Sequence, residues 1–322
     1  IGRNALVANT TAANNTAIGY DALAANTTGT ANVAVGALAL DANTTGIRNT
    51  AVGYKAGSAA ITVNDTTAIG WEALDVATTG ENVAVGGAAL GANTSGTYNT
   101  AVGNWSLDAN TTASNNTAVG HNSLTANTTG VNNVAVGFAA LGANTVGEDN
   151  IAIGAYALDG ASSSSTTQTI AIGKEAASGA LAGHNNICIG YQSLLVATSA
   201  FQNTAVGNLT LKALTTGDEN VAIGYGALVA NTSASYNVAV GMQTLLANTT
   251  GAENTAVGYR ALVANTTGTK NVAMGSSSLD ECTTGDFNTA VGTSALTSVT
   301  TSDSNTAVGN SAGQEITTGA SN

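Results

Sequence analysis

The pentapeptide Asn15-Thr16-Ala17-Ile18-Gly19 recurs almost unchanged as Asn32-Val33-Ala34-Val35-Gly36, as Asn49-Thr50-Ala51-Val52-Gly53, and so on to Asn305-Thr306-Ala307-Val308-Gly309. With its glycine as the marker, from Gly2 to Gly309, sixteen of eighteen spacings are 17 residues. One residue is missing before Gly86 and two are added before Gly173. A fixed period this short is the mark of stacked repeats, in which each unit is too small to bury its own apolar face and relies on its neighbours. The 322 residues therefore read as one continuous array over 1–322, with atypical rungs near 54–66, 155–185 and 310–322. Because the chain opens and closes within a repeat and has no initiator Met, it is expected to be a segment of something longer.

Numbering from the Asn gives the consensus N-[T/V/I]-A-[V/I]-G-x-x-[A/S]-L-x-A-N-T-T-G-x-x, and each column samples one structural position many times. Column 4 is aliphatic throughout (Ile18, Val35, Val52, Ile69, with Met274 the most unusual) and is expected to face a core. Column 2 holds Thr, Val or Ile and shares a strand face with column 4 under the two-residue period. Column 3 is Ala in seventeen of eighteen repeats, with Cys188 the exception. Its face should meet something very close, either a second sheet of the same chain or a neighbouring subunit.

Column 9 is Leu in sixteen of nineteen repeats, the others being Gly57, Ala177 and Gly313, where the rungs should repack. Columns 4 and 9 together should form the main hydrophobic ladder. Column 12 is most often Asn (Asn9, Asn26, Asn43, Asn93 and onward), and most of these precede Thr-Thr or Thr-Ser, formally an N-glycosylation sequon. Ala60, Leu214, Cys282, Val299 and Ile316 stand in the same column, which favours an inward asparagine ladder over an exposed sequon. Column 15 is mostly Gly, as a turn with positive φ would demand.

The fold class that follows is all-β: a parallel β-solenoid, or β-roll, of about nineteen 17-residue rungs. At roughly 4.8 Å per rung it would be a rod about 90 Å long. The serine-rich stretch Ala161–Ser165 at the two-residue expansion is expected to be a bulged loop.

Charge falls in and near the variable columns 6, 7, 16 and 17, which should form the outside. A net charge of −12, from 19 acidic and 7 basic residues, argues against nucleic acid as a partner. No apolar run is long enough to span a membrane, so membrane insertion is not expected. His121 and His184 lie about four rungs apart, too far to share a site, and Cys188 and Cys282 occupy inward columns. No calcium nonapeptide, phosphate loop or nucleophile elbow occurs, and a catalytic pocket needs unlike residues converging where a uniform array offers ladders. Neither enzymatic activity nor a cofactor or metal is expected.

Column 6 carries Tyr20, Tyr54, Trp71, Phe138, Tyr191, Tyr225 and Tyr259, seven of only thirteen aromatic residues. An exposed aromatic file can bind a glycan or another partner. The plainer role for such rings is to cover the turn or a subunit seam.

Segments such as Val33-Ala34-Val35-Gly36, Ile170-Ala171-Ile172-Gly173-Lys174-Glu175-Ala176 and Val221-Ala222-Ile223-Gly224-Tyr225-Gly226-Ala227 resemble the V-A-I-G-x-x-A repeats of trimeric autotransporter adhesin heads. The fuller unit from Asn254 to Leu262, followed by Asn265-Thr266-Thr267-Gly268, is similar to repeats of phage tail-fibre shafts. The likeness covers essentially the whole chain. It implies a homotrimeric fibre, extracellular or on a virion, that projects and attaches to a cell-surface or glycan receptor. The trimer would close through the small-residue face, and unpaired terminal rungs would favour end-to-end filament growth or flanking domains. Two other readings are an ice-binding solenoid using stacked threonines such as Thr27, Thr28, Thr44 and Thr45, and a glycan-binding rod using the column 6 aromatics.

Overall fold

The computed structural model describes residues 1–160 and 166–322, so the expected loop at Ala161–Ser165 lies outside the described residues. The chain forms two units, residues 1–164 and 165–322. The first holds nine strands, from β1 (Thr16–Ile18) to β9 (Ile151–Ile153), and the second holds nine more, from β10 (Ile170–Ile172) to β18 (Thr306–Val308). Each strand is three residues long, and within each unit successive strands pair in parallel. Pairing joins like columns: Thr16 lies against Val33, Ala17 against Ala34 and Ile18 against Val35. The register survives the missing residue, with Thr67 opposite Val83. The molecule is a parallel β-solenoid. Among the described residues, no helix is long and apolar enough to cross a membrane.

Gly in column 5 ends each strand for two reasons that act together. Its φ lies between 121° and 143°, where an L side chain is strained, and a Cβ on Gly19 would run into the carbonyl of Gly36 one rung on.

The strand faces are the reverse of the expectation. Column 3, Ala in every strand but the one with Cys188, points inward and is buried throughout, whereas columns 2 and 4 point outward, with Ile18 42% and Met274 43% exposed. The period of two fixes which residues share a face but not which face is inside. What decides it is width. The leucine of column 9 fills the interior from across the rung, close enough that a Cβ on Gly313 would lie 3.6 Å from the Cβ of Ala307. Only a methyl fits opposite. The tight neighbour of column 3 is therefore the same chain, and a subunit contact through the small-residue face is overturned.

Column 9 behaves as half of the expected ladder, since its leucines from Leu23 onward are at most 1% exposed. It also holds a conformation that leucine avoids, with φ between 47° and 54° from Leu6 to Leu296. The left-handed region costs an L residue about 1–2 kcal/mol, and full burial of a leucine side chain contributes about 1.5–3 kcal/mol. Burial covers the strain, and the Leu23 N–H donates to the Ala39 carbonyl at 3.0 Å. At Gly57, Ala177 and Gly313 the backbone keeps the same turn, with φ of 60°, 49° and 61°, so these rungs do not refold. Instead the Leu40 side chain leans into the space, 3.2 Å from where a Cβ on Gly57 would stand.

Column 12 is an interior asparagine ladder, as expected. Asn43 donates from Nδ2 to Asn26 Oδ1 at 3.0 Å, Asn26 does the same to Asn9 at 3.1 Å, and Asn26 and Asn43 are fully buried. A glycan cannot be attached to a fully buried amide. A second ladder runs through column 1, where the Asn32 N–H donates to Asn15 Oδ1 at 2.9 Å and Asn32 Nδ2 donates to the Gly46 carbonyl at 2.7 Å.

The glycine of column 15 needs a different explanation from the one its sequence suggested. Gly29, Gly46 and Gly96 do not adopt positive φ. A Cβ on Gly29 would instead strike the Gly46 carbonyl and crowd Asn26 Oδ1, so the column is small to let rungs approach. The left-handed turns fall on columns 7, 9 and 17, represented by Asp21, Leu23 and Ala31.

Candidate binding surface

Columns 6 and 7 flank the left-handed turn that follows each strand, and their side chains point to solvent from one corner of the rung. Tyr20, Tyr54, Trp71, Phe138, Tyr191, Tyr225 and Tyr259 are all exposed there, between 41 and 51%. They do not form a continuous file, because rungs bearing Ala37, Gly87, Asn104 and other non-aromatic residues separate them. Of the seven, only Phe138 packs against other rings. It stacks on His121 at 5.5 Å with the planes 10° apart and meets Tyr156 edge-on at 5.2 Å. His121 in turn meets Trp105 at 5.2 Å and 84°. Four rings from four consecutive rungs thus form one exposed strip in the first unit. Trp105 and Tyr156 stand in column 7, so reading column 6 alone missed them. The detectable signal was a ring in one or other of two adjacent columns on each of four successive rungs.

Elsewhere on this corner the rings have charged company. Lys55 Nζ lies 5.8 Å from the Tyr54 ring centre, and Asp21 hydrogen-bonds the Tyr20 hydroxyl and raises its pKa.

An open recess of about 370 Å³ in the first unit is lined by Glu72, Asp75, Val76, Ala88, Gly91, Ala92 and Asp108. It arises where Gly91 lacks a column 10 side chain and the Asp108 carboxylate leans over the gap, so that a Cβ on Gly91 would sit 2.9 Å from Asp108 Oδ1. Burial pushes the Asp108 pKa up. Asp75 accepts the Ser58 hydroxyl at 2.5 Å, and Glu72 is 3.9 Å from Lys55 Nζ. Asp75 and Glu72 thus have local partners, and no thiol, imidazole or hydroxyl nucleophile lines the recess.

Among the described residues, no group of three or more His, Cys, Asp or Glu is placed to hold a metal ion. Both cysteines are free and buried, with burial raising the thiol pKa well above normal at Cys188 and to about 11 at Cys282. Their thiolates are suppressed, which makes them poor nucleophiles. In the second unit, His184 in column 16 pairs with Phe201 at 5.4 Å.

Set against protein-family models, curated proteins and solved structures, the chain matches none. The functional reading therefore rests on the surfaces themselves. Two are distinctive. One is the outward strand face, made only of Thr, Val, Ile and a single Met in columns 2 and 4 of every strand, with no charge in either unit. The other is the aromatic strip beside it.

Proposed function

We propose that this chain is a segment of a structural and adhesive fibre, extracellular or carried on a virion, that self-associates as a homotrimer and attaches through its variable turn columns. The observation that carries the proposal is the outward strand face. Aliphatic side chains stand exposed at column 4 on rung after rung, including Ile69, Val102, Val119, Ile153, Ile223 and Val257. Nine strands at about 4.8 Å, each about 10 Å long, give about 400 Å² of outward strand face in each unit, against about 800 Å² per partner in a standard interface. A second copy of this chain offers the same rung spacing and the same uncharged surface, while the net charge of −12 resides on the other columns. The proposed contact is thus through columns 2 and 4, not through the enclosed alanines.

Sedimentation of the purified chain tests this. A trimer is expected for the wild type, with Val119→Glu and Val257→Glu shifting it to monomer while leaving the fold intact. A wild-type monomer at micromolar concentration would overturn the self-association.

The ice-binding reading has less support. The column 13 threonines are engaged with the backbone: Thr27 Oγ1 donates to the Thr44 carbonyl at 3.0 Å and Thr266 Oγ1 to the Thr283 carbonyl at 3.0 Å. Column 14, with Thr28 and Thr45, remains outward, and the outward threonines of column 2, such as Thr50 and Thr67, are interrupted by Val33 and Val83. Thermal hysteresis by the purified protein would favour that reading over the fibre.

A further inference from the structure

We infer that the strip Trp105–His121–Phe138–Tyr156 is a binding site for a neutral, extended oligosaccharide. The inference deepens the attachment half of the fibre reading by naming a site and a ligand class. It does not depend on self-association.

Three observations converge on this strip. The first is geometry. Ring centres follow one another at 5.2, 5.5 and 5.2 Å along four rungs, and the end rings lie crosswise to the parallel His121–Phe138 pair. The strip is thus a line about 14 Å long, three rung spacings of about 4.8 Å, in which a stacked pair is flanked by two crosswise rings. A run of rings at this spacing suits a ligand built from a row of flat, apolar C–H faces, as a linear polysaccharide is.

The second is exposure without a partner. Trp105, Phe138 and Tyr156 are 44, 45 and 40% exposed, and His121 is exposed with them. Rings that served only to cover the turn would lie flat on the interior, as the column 9 leucines do beneath them.

The third is the chemistry of the surroundings. From Gly87 to Tyr156, columns 6 and 7 carry no acid or base apart from His121, whereas elsewhere the same columns carry Asp21, Lys55, Glu72, Lys174, Glu175 and Arg260. What flanks the rings is amide. Asn104 Oδ1 is held by the Gly87 N–H at 2.8 Å, which leaves its NH2 group directed away from the backbone. The side chains of Asn122 and Tyr156 make no hydrogen bond to any described residue. Amide and phenol groups beside apolar rings suit sugar hydroxyls around sugar C–H faces, since aromatic side chains with a polar end serve ligands that are apolar on one side and wet on the other. An anionic ligand would need cations that this corner lacks, and a cationic one would find better charge at Glu72 or Asp21.

The test uses fluorescence. Trp71→Phe leaves Trp105 as the only tryptophan of the two, and this protein is titrated with cellohexaose, xylohexaose, mannohexaose and chitohexaose, with oligogalacturonate as the charged control. At least one neutral oligosaccharide should change Trp105 emission saturably, and oligogalacturonate should not. Phe138→Ala should weaken that binding at least tenfold, and Phe138→Leu, which keeps apolar volume without a ring, should do the same should the alanine variant fold poorly. Tyr225→Ala and Tyr259→Ala, isolated rings of the second unit, should leave it unchanged. Absence of binding by all four neutral sugars, equal binding of the charged control, or full binding by Phe138→Leu would each overturn the site. Sedimentation of the same samples separates the two ideas: a monomer that binds sugar removes the fibre and keeps the strip, and a trimer that binds none does the opposite.

Discussion

Two columns of buried asparagine run through each unit, and they tolerate replacement very differently. Column 1 departs from Asn only at Thr66 and Thr169 between Asn15 and Asn322. Column 12 accepts Ala60, Ala77, Ala197, Leu214, Cys282, Val299 and Ile316. Both are equally deep, so burial does not explain the contrast; hydrogen-bond partners do. Asn237 in column 1 accepts the backbone N–H of Asn254 at 3.0 Å and donates to the Gly251 carbonyl at 3.0 Å. Removing it strands a backbone N–H that has nowhere else to turn. Asn248 in column 12 also donates to the Gly251 carbonyl, at 2.9 Å, but there it duplicates the bond from Asn237. Its other role is to accept Asn265 Nδ2 at 2.8 Å, a bond inside its own ladder. Where Leu214 stands in column 12, the Gly217 carbonyl still receives Asn203 Nδ2 at 3.0 Å. A ladder that satisfies mainly itself can be lost with its partners at little cost, whereas one that satisfies the backbone cannot.

The sharpest way to break this contrast is Asn237→Leu, a near-isosteric change. It should lower stability by about 1–3 kcal/mol, the cost of one unsatisfied buried donor, read as a lower urea midpoint with unchanged slope. Asn248→Leu should cost less, under about 1 kcal/mol, because one Asn265 donor loses its acceptor while the Gly251 carbonyl stays satisfied. Asn265 Oδ1 is already buried without a partner beside Cys282. The double variant Asn248→Leu with Asn265→Leu should therefore be no worse than Asn248→Leu alone. A column 12 single variant that costs more than Asn237→Leu would undo the explanation.

The smallest effect extends the comparison to carboxylates. Burial raises the pKa of Asp41, Asp108 and Asp159, all in column 10. An acid whose folded pKa is raised binds its proton more tightly in the native state, so its contribution favours folding at low pH and fades as pH rises from about 3.9 through the folded value. Asp108→Asn should remove that slope, so that between about pH 4 and 7 the variant gains urea midpoint relative to the wild type. A parallel pH profile for the two proteins would exclude the effect.

Much of the architecture was legible because it depends on repetition. Period, parallel pairing, the strand-ending glycine and the inward column 12 all follow from comparing columns. What stayed hidden depended on properties that a column average does not carry. Ala17 and Ile18 alternate correctly in sequence, but hydrophobicity alone places Ile18 inside, when the narrow rung leaves room only for Ala17. The turn at Leu23 gave no sign because sequence rules look for Gly or Asn at positive φ, and here a leucine is held there by its own burial. Gly29 carried the right residue for the wrong reason. At the binding surface the aromatic excess was visible, but the strip was not: Trp105 and Tyr156 lie one column over from His121 and Phe138, and only the turn geometry brings the two columns to one corner.

The pairing of each strand within a unit with the strand of the next rung has a mechanical consequence. Pulling a unit by its terminus loads the bonds of one rung before those of the next, so it should yield by peeling, not by shearing all strands at once. Each rung released frees about 17 × 3.4 Å of chain in exchange for about 4.8 Å of stack, an extension of about 50 Å per step. A solenoid of this kind resists tension through the number of its rungs in sequence, and a local break need travel no further than the rung beside it.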